Sequence, residues 1–287
     1  MRTEDVSPRY EGIDAWSSLE AVHAMFEGQL SAVAAVRETL PAIVKAAEAA
    51  AERLAETGRL VYCGAGTSGR IGVQDGVELS PTFGWPEARV AFAIAGGERA
   101  ITASAEGAED DRDAAPRALE GLAVGSADVV IGLAASGATP YTVEFLRGAR
   151  DRSALTIGVA NNPGSPLLDA AEHAICVATG AEVVAGSTRM KAGVSQKVVL
   201  NLLSTLTMMR LGRVYRGMMV DMRTHNAKLK RRAARIVGRL AHCDEETARR
   251  AVETAGEVKL AVLLAQGFDL DAARLLVRRG EARNTRP

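Results

Sequence analysis

Apolar positions recur along this chain in two rhythms, and the change of rhythm divides it. Residues 1–16 follow neither. From Ser17 to Gly58, Leu19, Val22, Met25, Phe26, Leu30 and Val33 keep helical spacing, which predicts two helices parted near Pro41. Ser17 and Glu20 have the spacing of a capping box, and Gly58 suits a helix stop. Short apolar runs then predict strands at 59–63, 89–95, 127–134, 154–160 and 174–178. Helical patterns fill 69–79, 97–105, 110–121, 140–151, 165–172 and 189–212. Val129 to Ala134 is apolar throughout, as a strand covered on both faces must be. Such alternation predicts a parallel sheet between two helical layers with right-handed crossovers. After Gly217, Met218–Leu240 predicts another helix, with Lys228, Lys230, Arg231 and Arg232 on its solvated side. Three short helical patterns follow within 244–279, with Asp244 and Asp269 as N-caps. The expected organisation is a helical arm over 1–44, an α/β domain over 45–215, and a helical region with a three-helix appendage over 216–287.

The polar positions that break these rhythms gather where strands end. Leu60-Val61-Tyr62 runs into Gly64-Ala65-Gly66-Thr67-Ser68-Gly69 and then into a helix. Glycines let a backbone turn sharply and approach a ligand, and a helix start presents free N–H groups to an anion. The loop therefore reads as a phosphate cradle. It also fits a dinucleotide fingerprint, but that reading needs an acidic residue after the second strand, where this chain has Ala95-Gly96-Gly97. A plain structural turn is the third alternative. A second loop, Ala134-Ala135-Ser136-Gly137-Ala138-Thr139-Pro140, closes the third strand. A third, Ala185-Gly186-Ser187-Thr188-Arg189-Met190-Lys191, opens the long helix. Ordinary capping by the hydroxyls is the alternative reading for each loop. Ligands in parallel sheets collect at strand carboxyl ends, so three such loops together point to one anionic small molecule, with Lys191 lending charge.

Two carboxylates lie between these loops. Glu78 is expected to close the helix that begins at the glycine loop, a place that suits an acid. Glu109, in Glu106-Gly107-Ala108-Glu109-Asp110-Asp111, is expected at a helix start, which suits a base. No Ser-His-Asp or Cys-His arrangement competes, and His225 has no catalytic neighbour in the sequence.

Composition narrows the classes. The 287 residues are 47% hydrophobic and 24% charged, enough for one large domain with a small appendage. A formal net charge of +0 gives no basic field for nucleic acid or an acidic membrane, and 4% aromatic residues make a base-stacking platform an unsuitable reading. The three cysteines and four histidines show no metal spacing and fit a reducing compartment. No secretory leader or membrane-length apolar run is expected.

Taken together, several stretches are familiar. They are GAGTSGR over 64–70, the Asp75–Glu78 pair, PTFG over 81–84, EGAEDD over 106–111, the ASG-x-TPY frame over 135–141, NNPGS over 161–165, GAEVVAGSTRMKAG over 180–193, and MVD over 219–221. The chain resembles the N-acetylmuramic acid 6-phosphate etherases, a family of the sugar isomerase (SIS) phosphosugar-binding superfamily. The resemblance covers about residues 10–280. It implies a three-layer αβα sandwich with a flavodoxin-like parallel sheet, a cytoplasmic homodimer, and no metal or cofactor. The implied activity, part of peptidoglycan recycling, removes D-lactate from N-acetylmuramic acid 6-phosphate and leaves N-acetylglucosamine 6-phosphate. Glu78 takes the place of the family's proton donor and Glu109 that of its other active-site carboxylate. Phosphosugar contacts fall to Gly66, Thr67, Ser68, Ser136, Gly137, Thr139, Ser187, Thr188 and Lys191. The chain departs from the family at Ala138, where Arg is usual, at Val77, Leu79 and Ser80 around Glu78, and at Gly217, where Asn is usual. An aldose–ketose isomerase and a non-catalytic phosphosugar sensor are the alternatives.

Overall fold

The computed structural model describes residues 3–222, 224 and 227–278. His225 and the end of the last helical pattern, at Arg279, lie outside them. Two compact units result: Met1–Gly76 with Ala88–Thr207, and Val77–Glu87 with Met208–Pro287.

In the first unit, the Ser17 hydroxyl accepts from the Glu20 N–H at 3.3 Å and the Glu20 carboxylate accepts from the Ser17 N–H at 3.1 Å. This capping box opens α1 (Ser18–Ala35), and a single 3-10 stretch leads to α2 (Leu40–Arg53), with Pro41 in its first turn. The Ser17–Glu20 pattern therefore reads correctly. The alternating region follows as β1 (Leu60–Gly64), α3 (Gly66–Phe83), β2 (Val90–Ile94), α4 (Arg99–Thr102), α5 (Ala114–Gly121), β3 (Val129–Ala134), α6 (Pro140–Asp151), β4 (Leu155–Ala160), α7 (Pro166–Ala170), β5 (His173–Cys176) and α8 (Lys191–Arg210). All five expected strands are present and all pair in parallel, in the order β2-β1-β3-β4-β5.

Side chains alternate across this sheet because strand residues point to opposite faces in turn. Val61, Cys63 and Val130 pack with Leu119, Phe145, Leu146 and Leu167 from α5, α6 and α7. On the other face, Tyr62 meets α3 and donates to Asp75 at 2.8 Å, and Ser204 of α8 donates to the same carboxylate at 3.2 Å. Thr207 of α8 also reaches the Ala47 carbonyl of α2. The result is the expected three-layer αβα sandwich. Burial is the main influence pushing the Asp75 carboxyl up, opposed by Tyr62, Lys197 and Ser204. Strand order reverses between β1 and β3, and in open parallel sheets the crevice at such a reversal is where ligands bind.

The second unit corrects one expectation. Met218 does not begin a helix: β6 (Val214–Tyr215) and β7 (Met218–Met219) form an antiparallel hairpin, and the helix, α9, spans Ala227–Ala241. Arg216 and Gly217 both take positive φ, at 49° and 75°, as the tight primed hairpin turn requires. Three short helices follow, α10 (Glu245–Ala255), α11 (Val258–Ala265) and α12 (Leu270–Arg278). Asp244 and Asp269 accept the N–H groups of Thr247 and Ala272, as expected of caps. Val220, Met222, Ile236, Val237 and Val252 form this unit's core. Asp221 binds Lys259 at 2.7 Å and Arg213 at 3.5 Å.

Candidate active site

The first wall of the site is the junction of β1 and α3. Gly64 and Gly69 approach so closely that a Cβ on Gly64 would stand 2.9 Å from the Gly69 nitrogen, and one on Gly69 would stand 3.0 Å from the Gly64 oxygen. No other residue type permits that contact. The helix starts three residues earlier than its pattern predicts, so Gly66, Thr67 and Ser68 form its first turn. The first intrahelical bond of this turn runs from the Gly69 N–H to the Ala65 carbonyl at 3.1 Å. The N–H groups of Gly66, Thr67 and Ser68 therefore have no helical acceptor. The Thr67 and Ser68 hydroxyls make no hydrogen bond among the described residues. Capping, the alternative reading for this loop, is absent.

The second wall is the β3 loop. Gly137 has φ 68°, and a Cβ there would fall 2.0 Å from Ser165 Oγ, so the position is closed to other residues. Asn162 donates to the Ala135 and Ser136 carbonyls at 3.2 and 3.3 Å and to Thr3 at 2.8 Å. Ser136 accepts from the Ala138 N–H at 3.1 Å, which leaves its O–H proton free. Thr139 precedes α6 without capping it. Here α6 spends a donor on the third wall: the Tyr141 N–H binds the Glu109 carbonyl at 3.0 Å.

Glu109 itself sits in a turn. The helix expected at 110–121 begins at Ala114, with the Asp111 carboxylate accepting its N–H at 3.0 Å. Glu109 is thus not at a helix start, and the dipole argument for its role falls away. Its side chain is exposed and lines a cavity of about 390 Å³ with Gly66, Thr67, Arg70, Ser104 and Glu106. Ser136 and Ala138 line a second cavity of about 470 Å³ with Asp5, Asn162 and Ser165. Glu78 differs from expectation more. It lies inside α3, which runs through Pro81 to Phe83, so it neither ends the helix nor is buried; its side chain is exposed. It belongs to the second unit.

The third loop holds a residue that sequence reasoning missed. Glu182, 1% exposed, accepts the N–H groups of Lys191 and Ala192 at 2.8 and 2.9 Å. The start of α8 is therefore filled by a carboxylate from nine residues upstream, and no local pattern announces it. Ser187 and Thr188 are released from capping, and their hydroxyls bind nothing among the described residues. Lys191 Nζ donates to the Ala181 carbonyl at 2.8 Å. Burial is the main pull lowering this ammonium; Glu182 pushes it up and Arg9 pulls it further down. The loop adjoins the first wall: the Gly193 N–H binds the Thr188 carbonyl at 2.9 Å, and a Cβ on Gly193 would lie 3.6 Å from Thr67 Cγ2.

Residues 42–149 match the family described as the glucokinase regulatory protein N-terminal SIS domain, and residues 114–206 match the SIS domain. A Bacteroides fragilis protein, solved as a proposed phosphosugar isomerase involved in capsule formation, shares the fold at a TM-score of 0.53 and 22% identity, over 69% of this chain and 94% of its own. The N-acetylmuramic acid 6-phosphate etherase of Deinococcus radiodurans is 46% identical over 98% of this chain and 94% of its own length. That of Streptomyces coelicolor is 46% identical over 98% and 91%. With that identity along nearly its whole length, the chain belongs to the N-acetylmuramic acid 6-phosphate etherase family.

Proposed function

We propose that this protein is an etherase that converts N-acetylmuramic acid 6-phosphate to N-acetylglucosamine 6-phosphate and D-lactate. Near-full-length identity to etherases carries the activity. One observation carries the site: the uncapped first turn of α3 and the Glu109 carboxylate line the same cavity. The phosphate takes the N–H groups of Gly66, Thr67 and Ser68 and the hydroxyls of Ser68, Ser136, Thr139, Ser187 and Thr188, with Gly137 keeping the second loop close. Lys191 adds charge, its Nζ making one hydrogen bond, to the Ala181 carbonyl, among the described residues. Holding the phosphate supplies binding energy remote from the reacting bond.

Chemistry then needs one base and one acid. When the sugar ring opens, the C1 aldehyde acidifies C2–H. Glu109 takes that proton, the C3–O bond breaks as C2=C3 forms, and Glu78 protonates the departing lactyl oxygen. Water adds back at C3, returning a proton to C2 and giving the product sugar. In this proposal the protein is a cytoplasmic homodimer of peptidoglycan sugar recycling. The exposed stripe of Leu19, Val22, Phe26, Leu30 and Val33 along α1 supports the dimer. Incubation with N-acetylmuramic acid 6-phosphate should release D-lactate. A ketose phosphate without lactate would make the protein an isomerase, and binding without turnover would make it a sensor.

A further inference from the structure

Arg70 is the one cationic side chain among the residues lining the Glu109 cavity, and its charge is not spent on a carboxylate. Its Nε donates to the Ala100 and Ile101 carbonyls at 3.0 and 3.2 Å, and its Nη2 to the Ala103 carbonyl at 2.8 Å. These carbonyls close α4, a four-residue helix whose last acceptors have no partner of their own. The chain goes directly from there into 104–109, the segment that carries Ser104, Glu106 and Glu109 into the cavity. Among the described residues Arg70 makes no ion pair with Glu106 or Glu109, so Glu109 keeps an unpaired carboxylate.

Two further contacts fix the same segment. A Cβ on Gly96 would stand 2.5 Å from Ala105 Cβ and 3.3 Å from Ala108 Cβ, so the segment rests on the end of β2. The Tyr141 N–H holds the Glu109 carbonyl from α6. Of the three anchors, Arg70 alone belongs to α3, the helix whose first turn is the open anion site. Its planar fork spans three carbonyls, which a lysine ammonium does not reproduce.

We propose that Arg70 is a positioning residue that fixes the Glu109 carboxylate relative to the phosphate-binding turn of α3. The inference rests on the reading of Glu109 as the base. Phosphate and C2–H belong to one sugar, so the distance between their two recognition points must be held, and Arg70 ties the two walls directly.

The test compares Arg70→Lys and Arg70→Met with the parent enzyme, following D-lactate release and C2 hydrogen exchange with deuterium oxide. The expected result is a fall in kcat of about 10- to 100-fold in both reactions, the scale of a small misplacement of a catalytic group. KM should change little, and Lys should not rescue. Combined with Glu109→Gln, Arg70→Met should add no further loss. Amide exchange over 104–109 should quicken in Arg70→Lys even if Arg70→Met does not fold. A KM raised more than kcat is lowered, with rescue by Lys, would overturn the inference in favour of direct contact with the ligand. An unchanged kcat, additive losses in the double variant, or unchanged amide exchange would overturn it as well. A parent enzyme that releases no lactate would instead refute the proposed function, and amide exchange in Arg70→Lys would still decide the tether.

Discussion

The first turns of α3 and α8 are neighbours, and they treat the same electrostatic demand in opposite ways. Each presents free N–H groups at the positive end of a helix. At α8 the demand is met from within: Glu182 is buried and binds two of the donors. At α3 no side chain of the described residues does so, although Thr67 and Ser68 stand in place and could have capped a differently built turn. The starts of α1 and α10 are closed as well, by Ser17 with Glu20 and by Asp244. Glu182 shows what the start of α3 lacks, and an anionic group brought by a ligand would complete it. A closed helix start contributes to stability, whereas an open one at the sheet's reversal point is suited to binding.

That contrast predicts which variants lose activity and which lose stability. The largest effects belong to the carboxylates. Glu109→Gln should lower lactate release on the order of 10²- to 10⁴-fold, the usual worth of general acid–base catalysis, and abolish C2 hydrogen exchange with it. Glu78→Gln should suppress lactate release while some exchange survives, because exchange needs the base and not the acid. Proton NMR of substrate in deuterium oxide separates the two, and the reverse pattern would exchange the roles.

Next come the open hydroxyls. Ser68→Ala and Ser136→Ala each remove a donor to a charged ligand, worth about 1.5–3 kcal/mol, or roughly 10- to 100-fold in KM. The melting temperature of Ser68→Ala should stay near that of the parent, since no internal bond is lost, and that of Ser136→Ala should fall only slightly, since the one bond lost, from the Ala138 N–H, is exposed. Glu182→Ala should do the reverse. It leaves two buried N–H groups unpaired at about 1–3 kcal/mol of stability, read by denaturant unfolding, with a smaller change in KM. Equal shifts of KM and stability in both sets would erase the distinction between the two helix starts.

The smallest effect concerns a fully committed charge. Burial acts to raise the Asp128 carboxyl, but the Arg59 guanidinium and the N–H groups of Gly125 and Arg59 outweigh it and hold the carboxyl below its ordinary 3.8. A carboxylate lowered by folding stabilises fully above its unfolded value, and that contribution disappears as pH falls through the folded value. Melting temperature followed below about pH 4 should therefore fall less steeply in Arg59→Met than in the parent, with no effect on KM.

Much of this was legible because it is local. Runs such as Val129–Ala134 announce buried strands, and Ser17 with Glu20 announces a helix start three residues apart. The errors arise where distant packing decides. Pro81 reads as a helix stop, yet α3 continues to Phe83, with Leu79 and Phe83 buried. Glu78 thereby moves from a helix end to a helix interior. Met218 and Met219 are apolar enough to suggest a helix, but the preceding Arg216-Gly217 turn commits them to a hairpin. Nothing local marks Glu182 or Arg70, because their partners lie nine and about thirty residues away, beyond any periodic signal. The three hydroxyl-bearing loops are visible by composition; that α3 is open and α8 closed is not, since the difference depends on where one glutamate side chain goes.

The claim that the first turn of α3 awaits the phosphate is tested most directly by a crystal structure with N-acetylglucosamine 6-phosphate. The account predicts phosphate oxygens within hydrogen-bonding distance of the Gly66, Thr67 and Ser68 N–H groups, with the Ser136 hydroxyl donating to the same group. A phosphate bound elsewhere, with that turn facing only water, would contradict it.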